Sequence, residues 1–251
     1  MLYKIMLRLW AVWCLIAFMI ILVICALAMI WGFYIRPSTA MNYKMHFLPA
    51  WCSKWLLRLW GVKLNVIGKN YDTNQQYVVV MNHSSDLDPF FGSAIFDNLY
   101  IKYLAKAEIL KYPIFGMAIR NMYIPVIRSN SQSREQSMNA MIDAINNLKC
   151  SLFIYPEGTR NKGPELLKEF HDGAFKVAIT TQVPILVASL TNAYYIMKPR
   201  SWLLYPQILN VYIEQPIITQ GCSMIDINNL KTQVREMMIR RFEKENINEL
   251  K

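Results

Sequence analysis

Over the first 35 residues apolar positions follow one another almost without a break, whereas from Gly61 onward they come in short runs between polar stretches. Leu9 to Ile35 contains 27 residues without a charge. That exceeds the roughly 20 that a helix needs to cross about 30 Å of hydrocarbon. Lys4 and Arg8 precede the run, and Arg36-Pro37 ends it. Ala26-Leu27-Ala28 has the form of a signal cleavage site, but the apolar run continues through Met29-Ile30-Trp31, so a retained anchor is expected. Asn42 to Trp60 has a different pattern. Trp51, Cys52, Trp55, Leu56, Leu59 and Trp60 recur at helical spacing, which predicts an amphipathic helix with these side chains on one face and Lys54 and Arg58 on the other. Such a helix suits the headgroup layer of a bilayer.

The short runs that follow predict strands at Leu64–Ile67, Tyr77–Met81, Ile101–Leu104, Ile124–Ile127, Leu152–Tyr155, Ile185–Leu190 and Leu209–Ile213. They are rich in Val, Ile and Tyr, as a sheet covered on both faces requires. Between them, helices are expected at Pro89–Asp97, Pro113–Arg120, Gln132–Leu148, Ala174–Thr181 and Asp226 to about Asn246. Alternating strand and helix predicts a layered α/β domain with a central, mostly parallel sheet. The expected organisation is therefore membrane-anchoring helices over 1–61 and one α/β domain over 62–251.

Composition sharpens this picture. The chain is 54% hydrophobic and 18% charged, which excludes intrinsic disorder and sets it apart from an ordinary small water-soluble domain. Its net charge is +10, and residues 201–251 carry six cations and six anions, so the excess lies in the first 200 residues. An anionic partner follows: a membrane surface, a phosphorylated substrate or nucleic acid. Aromatics and cations are concentrated beside the anchor and not along one soluble face, which argues against nucleic acid. The five cysteines, at 14, 25, 52, 150 and 222, have no paired short spacing. They read as small buried hydrophobes in a reducing compartment, not as a disulfide framework or zinc site.

The densest polar cluster, Asn82-His83-Ser84-Ser85-Asp86-Leu87-Asp88-Pro89-Phe90, follows the strand ending at Met81. Four residues separate His83 from Asp88, so a tight turn brings the carboxylate to the ring. There it would fix the neutral tautomer and leave the other ring nitrogen free to take a proton. Asp88-Pro89 is equally a helix start. Ser84 and Ser85 lie in nothing like the Gly-x-Ser-x-Gly elbow of a serine nucleophile. A second cluster, Tyr155-Pro156-Glu157-Gly158-Thr159-Arg160, follows another strand. Gly158 lets backbone N–H groups approach an anion, Arg160 offers a forked donor, and Glu157 is placed to hold the arginine or accept from a substrate hydroxyl. Lys106 and Arg128 each follow a predicted strand, the edge at which α/β sheets place their sites.

Together these clusters resemble the glycerophospholipid acyltransferase family, of the bacterial 1-acylglycerol-3-phosphate acyltransferase type. The family's first block matches Asn82, His83, Ser85 and Asp88. Its second matches Lys106, Glu108, Pro113, Phe115-Gly116 and Pro125-Val126-Ile127-Arg128. The third is Tyr155 to Arg160, with Tyr155 where Phe is commoner, and the fourth is Val183-Pro184-Ile185. Two departures are His171-Asp172-Gly173-Ala174-Phe175 for a Lys-Lys-Gly-Ala-Phe-like stretch, and Asn121-Met122 in place of a glycine. The resemblance implies that His83 deprotonates the 2-hydroxyl of lysophosphatidate, with Asp88 orienting the ring. Lys106 would then face the tetrahedral oxyanion, and Arg160 and Arg128 would bind the acceptor phosphate in a pocket shaped by Glu157, Gly158 and Thr159. The donor is an acyl-CoA or an acyl carrier protein, and the product is phosphatidate. No metal or other cofactor is expected. The protein is expected at a membrane, with its catalytic domain facing the cytoplasm. Two other readings are acylation of a different lysophospholipid and a catalytically silent, membrane-bound binder of anionic lipid.

Overall fold

A computed structural model describes residues 2–126, 131–163, 165–198 and 201–249. Nine α-helices are found among the described residues: α1 (Leu2–Ile30), α2 (Thr39–Met45), α3 (Leu48–Leu59), α4 (Asp88–Ile95), α5 (Pro113–Ile119), α6 (Ser131–Asn146), α7 (Gly173–Thr181), α8 (Ala193–Ile196) and α9 (Ile227–Glu249). Seven strands, β1 (Lys63–Ile67), β2 (Val78–Met81), β3 (Ile101–Lys106), β4 (Tyr123–Val126), β5 (Ser151–Ile154), β6 (Ile185–Leu190) and β7 (Ile208–Ile213), form one sheet in the order β1-β7-β6-β2-β5-β3-β4. Every pairing is parallel except β6 with β7.

Side-chain alternation along the central strands divides the interior into two cores. Val79 and Met81 of β2, with Leu186, Ala188 and Leu190 of β6, face a core shared with α3 and α4. Val78 and Val80, with Ile185 and Val187, face the opposite core, shared with α6, α7 and α9. Burial on both faces is why these strands read as near-continuous apolar runs.

The N-terminal helix is long and apolar enough to cross a membrane, and a π-helical turn (Trp31–Ile35) extends it before Pro37. It is also packed against the rest of the chain. Ala11, Cys14, Ala17, Ala26 and Met29 are buried along one stripe, and the small alanine and cysteine side chains let neighbouring helices come close. Cys14 accepts a hydrogen bond at its carbonyl from Trp60 Nε1 (3.0 Å), while Phe18 packs edge-on against Phe90. Further along, Ala26, Met29 and Phe33 join Ala118, Ile119 and Met122 in a third apolar cluster. The opposite stripe, including Leu9, Ile16, Ile20 and Ile24, is exposed.

The segment Asn42–Trp60 differs from expectation in two ways. It is two helices, with a break at His46-Phe47, and its tryptophans do not share a face. Cys52, Leu56 and Trp60 are buried inward, whereas Trp51 and Trp55 are 57% and 43% exposed. The Arg58 guanidinium lies over the Trp55 ring at 5.0 Å, so cation and indole share the outer face. The helix carries apolar side chains on both sides, and only its packing partner decides which set is covered.

Candidate active site

β2 and β5 are adjacent parallel strands, with Val80 opposite Ile154. Their C-terminal ends therefore deliver the two polar clusters to the same place. His83 Nδ1 lies 2.7 Å from Asp88 Oδ2. The same carboxylate oxygen accepts the backbone N–H groups of Ser84 (2.7 Å) and Ser85 (2.8 Å), so the loop wraps around it. Asp88 is fully buried at the first turn of α4, and so combines the helix-start and ring-orienting roles. Burial pushes its carboxyl up, and the His83 ring and the two amides pull it back. Its other oxygen, Oδ1, is buried with no hydrogen-bond partner among the described residues.

The second cluster fixes the first. Glu157, buried, accepts the His83 backbone N–H on Oε1 (2.7 Å) and the Lys168 N–H on Oε2 (3.0 Å). The Asn161 N–H returns a bond to the His83 carbonyl (2.7 Å). Burial pushes the Glu157 carboxyl up, and the two amides it holds pull it back. Gly158 makes the sharp turn at φ +66°, a left-handed conformation that glycine adopts without steric cost. On the other flank Asn82 exchanges two hydrogen bonds with the Leu190 backbone (2.7 and 3.0 Å), pinning the end of β2 to the end of β6.

Tyr155 stacks on the His83 imidazole, with centroids 4.1 Å apart and planes 18° from parallel. The imidazole is thus held in its plane by a ring and along its edge by a carboxylate. The Tyr155 hydroxyl is buried and has no hydrogen-bond partner among the described residues. The aromatic face, not the hydroxyl, is the useful part. Tyr155→Leu is expected to lower kcat by about 2- to 12-fold, the equivalent of one aromatic pair. Tyr155→Phe should keep wild-type turnover. Steady-state kinetics on both variants checks this.

A cavity of about 1900 Å³ opens beside the dyad. His83, Phe90 and Tyr155 line one end, and Phe18, Ile21 and Met29 of α1 line an apolar wall. The other expected site residues are distributed as follows. Gly158 and Thr159 line the cavity, and Thr159 Oγ1 accepts from Lys168 Nζ (2.8 Å). Lys106, the last residue of β3, lines the cavity with a 72% exposed side chain, 3.6 Å from Glu108. Arg160 is half-buried and outside the cavity lining. It pairs with Asp86, not with Glu157, whose two oxygens are taken by backbone amides. Arg128 lies outside the described residues. Sequence reasoning assigned no role to Asn82, Asp86 or Lys168. The partner of Asn82 is on β6 and that of Asp86 is in the loop after β5, so the strand order reveals them, whereas Lys168 meets Glu157 and Thr159 within the stretch after β5.

The family described as Acyltransferase matches residues 63–191, just over half of the chain. The chain belongs to this acyltransferase family. Among its relatives is the 1-acyl-sn-glycerol-3-phosphate acyltransferase of Saccharomyces cerevisiae, 28% identical over 71% of this chain and 59% of that protein. Another, from Borreliella burgdorferi, carries the same name and is 29% identical over 76% of each chain. This acyltransferase chain thus spans about three fifths of the length of the yeast relative it matches. The crystal structure of the 1-acyl-sn-glycerophosphate acyltransferase PlsC from Thermotoga maritima superposes with a TM-score of 0.79 over 97% of both chains, at 21% identity. The fold is shared over nearly the full length.

Proposed function

We propose that this acyltransferase moves a fatty acyl group from a thioester donor, an acyl-CoA or an acyl carrier protein, to the 2-hydroxyl of 1-acyl-glycerol-3-phosphate. The observation that carries the reading is the His83–Asp88 contact of 2.7 Å, with the His83 imidazole lining a large cavity that has an apolar wall. Asp88 holds the Nδ1 proton, so Nε2 of His83 is the free base. It takes the proton of the acceptor hydroxyl as the oxygen attacks the thioester carbonyl. The C–O bond forms, a tetrahedral oxyanion develops, and collapse breaks the C–S bond. The thiolate leaves with the proton that His83 received. Lys106, at the cavity rim, is the cation assigned to the oxyanion, and Arg160, with Arg128, to the acceptor phosphate. Glu157, Gly158 and Thr159 build the turn that carries Arg160. The step as written uses no metal and no acyl-enzyme. General-base activation accounts for about 10² to 10⁴ in rate, with positioning and charge stabilisation supplying the rest.

A bilayer is the natural source of such an acceptor. The exposed stripe of α1, with Trp51 and Trp55 of α3, supports docking to a membrane. Because α1 packs on the domain from Cys14 to Phe33, docking along one leaflet fits better than a free crossing. All five cysteines are free thiols, which suits a domain on the reducing, cytoplasmic side.

The test is an acceptor panel on purified protein in mixed micelles. The highest kcat/KM is expected with lysophosphatidate. A higher value with another lysophospholipid would assign a different acceptor, and no acyl transfer to any of them would favour a silent lipid binder.

A further inference from the structure

The acceptor-binding arginine is already occupied by an internal anion. Arg160 pairs with Asp86, whose side chain is 53% exposed, and the guanidinium stays outside the cavity that its neighbours Gly158 and Thr159 line. Asp86 belongs to the same loop as the dyad, between His83 and Asp88. We infer that Asp86 is a built-in competitor for the acceptor's phosphate, and that acceptor binding is an exchange in which the phosphate displaces the Asp86 carboxylate from Arg160. This rests on the assignment of Arg160 to the acceptor phosphate.

The chemistry favours such an exchange. A phosphate monoester carries roughly 1.5 to 2 negative charges near neutral pH and three acceptor oxygens, against one charge and two oxygens for a carboxylate. The guanidinium fork matches both, so the better-charged anion takes it. Both side chains reach solvent, so the internal pair is screened and weak enough to open. An acceptor without phosphate gains nothing from Arg160 and leaves the pair closed. Asp86 thereby sets the apparent affinity for phosphorylated acceptors without touching the reacting hydroxyl.

The experiment measures the KM for lysophosphatidate in mixed micelles for wild type, Asp86→Asn, Asp86→Glu, Arg160→Ala and the Asp86→Asn/Arg160→Ala double variant. Asp86→Asn is expected to lower KM by about 1.4- to 5-fold, the range for an exposed ion pair, and by more than kcat changes. Asp86→Glu, which keeps the carboxylate, should stay nearer wild type. Arg160→Ala should raise KM, and in that background Asp86→Asn should have no further effect. If Arg160→Ala raises KM while Asp86→Asn leaves it unchanged or raises it, the competitor inference is overturned and the phosphate assignment stands. An unaltered KM in Arg160→Ala overturns the phosphate assignment, and the inference with it.

Discussion

His83→Ala is expected to lower kcat by about 10² to 10⁴ with little change in the KM of either substrate. The substitution removes the ring nitrogen to which the proposed mechanism gives the proton, while the contacts that hold the loop remain. Those contacts come from the His83 backbone, through Glu157 and Asn161, and from Ser84 and Ser85 to Asp88. The fold should therefore survive, and circular dichroism with a thermal melt checks that it does. Steady-state turnover in a wild-type-like fold then isolates the chemistry. Turnover within a few-fold of wild type would show that the imidazole is not the base.

Glu157→Ala is the substitution expected to damage the structure most. It leaves two partly buried backbone N–H groups without an acceptor, those of His83 and Lys168. An unpaired donor shielded from water costs about 1–3 kcal/mol, so a loss of about 2–6 kcal/mol is expected for the two. Melting temperature and denaturant midpoint measure it. The loop bearing His83 loses its clamp, so kcat should fall as well. The pH dependence has a definite sign. Burial raises the folded carboxyl from its ordinary value. The contribution of Glu157 is therefore largest at low pH and declines as pH rises through the folded value. The gap in melting temperature between wild type and variant should narrow accordingly. A gap that widens with pH would mean that Glu157 is stabilised as a full anion.

Much of this was legible along the chain because it is local. His83 lies on the short loop that leads into α4 and Asp88 starts that helix, so a tight turn suffices to bring them together, although the spacing taken alone is a weak signal and gained its weight from the neighbouring motifs. The β6 run Ile185–Leu190 agrees with the strand, since Pro184 and Thr191 bound a stretch that is apolar but for Ser189. What the chain did not disclose depends on which strands become neighbours. Glu157 reached the His83 backbone, 74 residues away, because β5 lies beside β2. Arg160 found Asp86 by the same juxtaposition, although Glu157 was the nearer partner in sequence. The face of α3 was misjudged for a related reason. Periodicity shows that a helix has an apolar stripe, but with apolar side chains on both sides it does not say which stripe meets the protein. Trp60 turned inward to Cys14 of α1, and Trp51 and Trp55 turned outward.

The central claim is that this site couples an acceptor hydroxyl directly to a thioester. Release of free thiol from acyl-CoA by the purified full chain, followed with and without lysophosphatidate, tests it most directly. Thiol release that depends on lysophosphatidate and matches phosphatidate mole for mole is the predicted result. Equal release without any acceptor, or none with it while phosphatidate fails to form from carrier-bound acyl groups as well, would contradict the account.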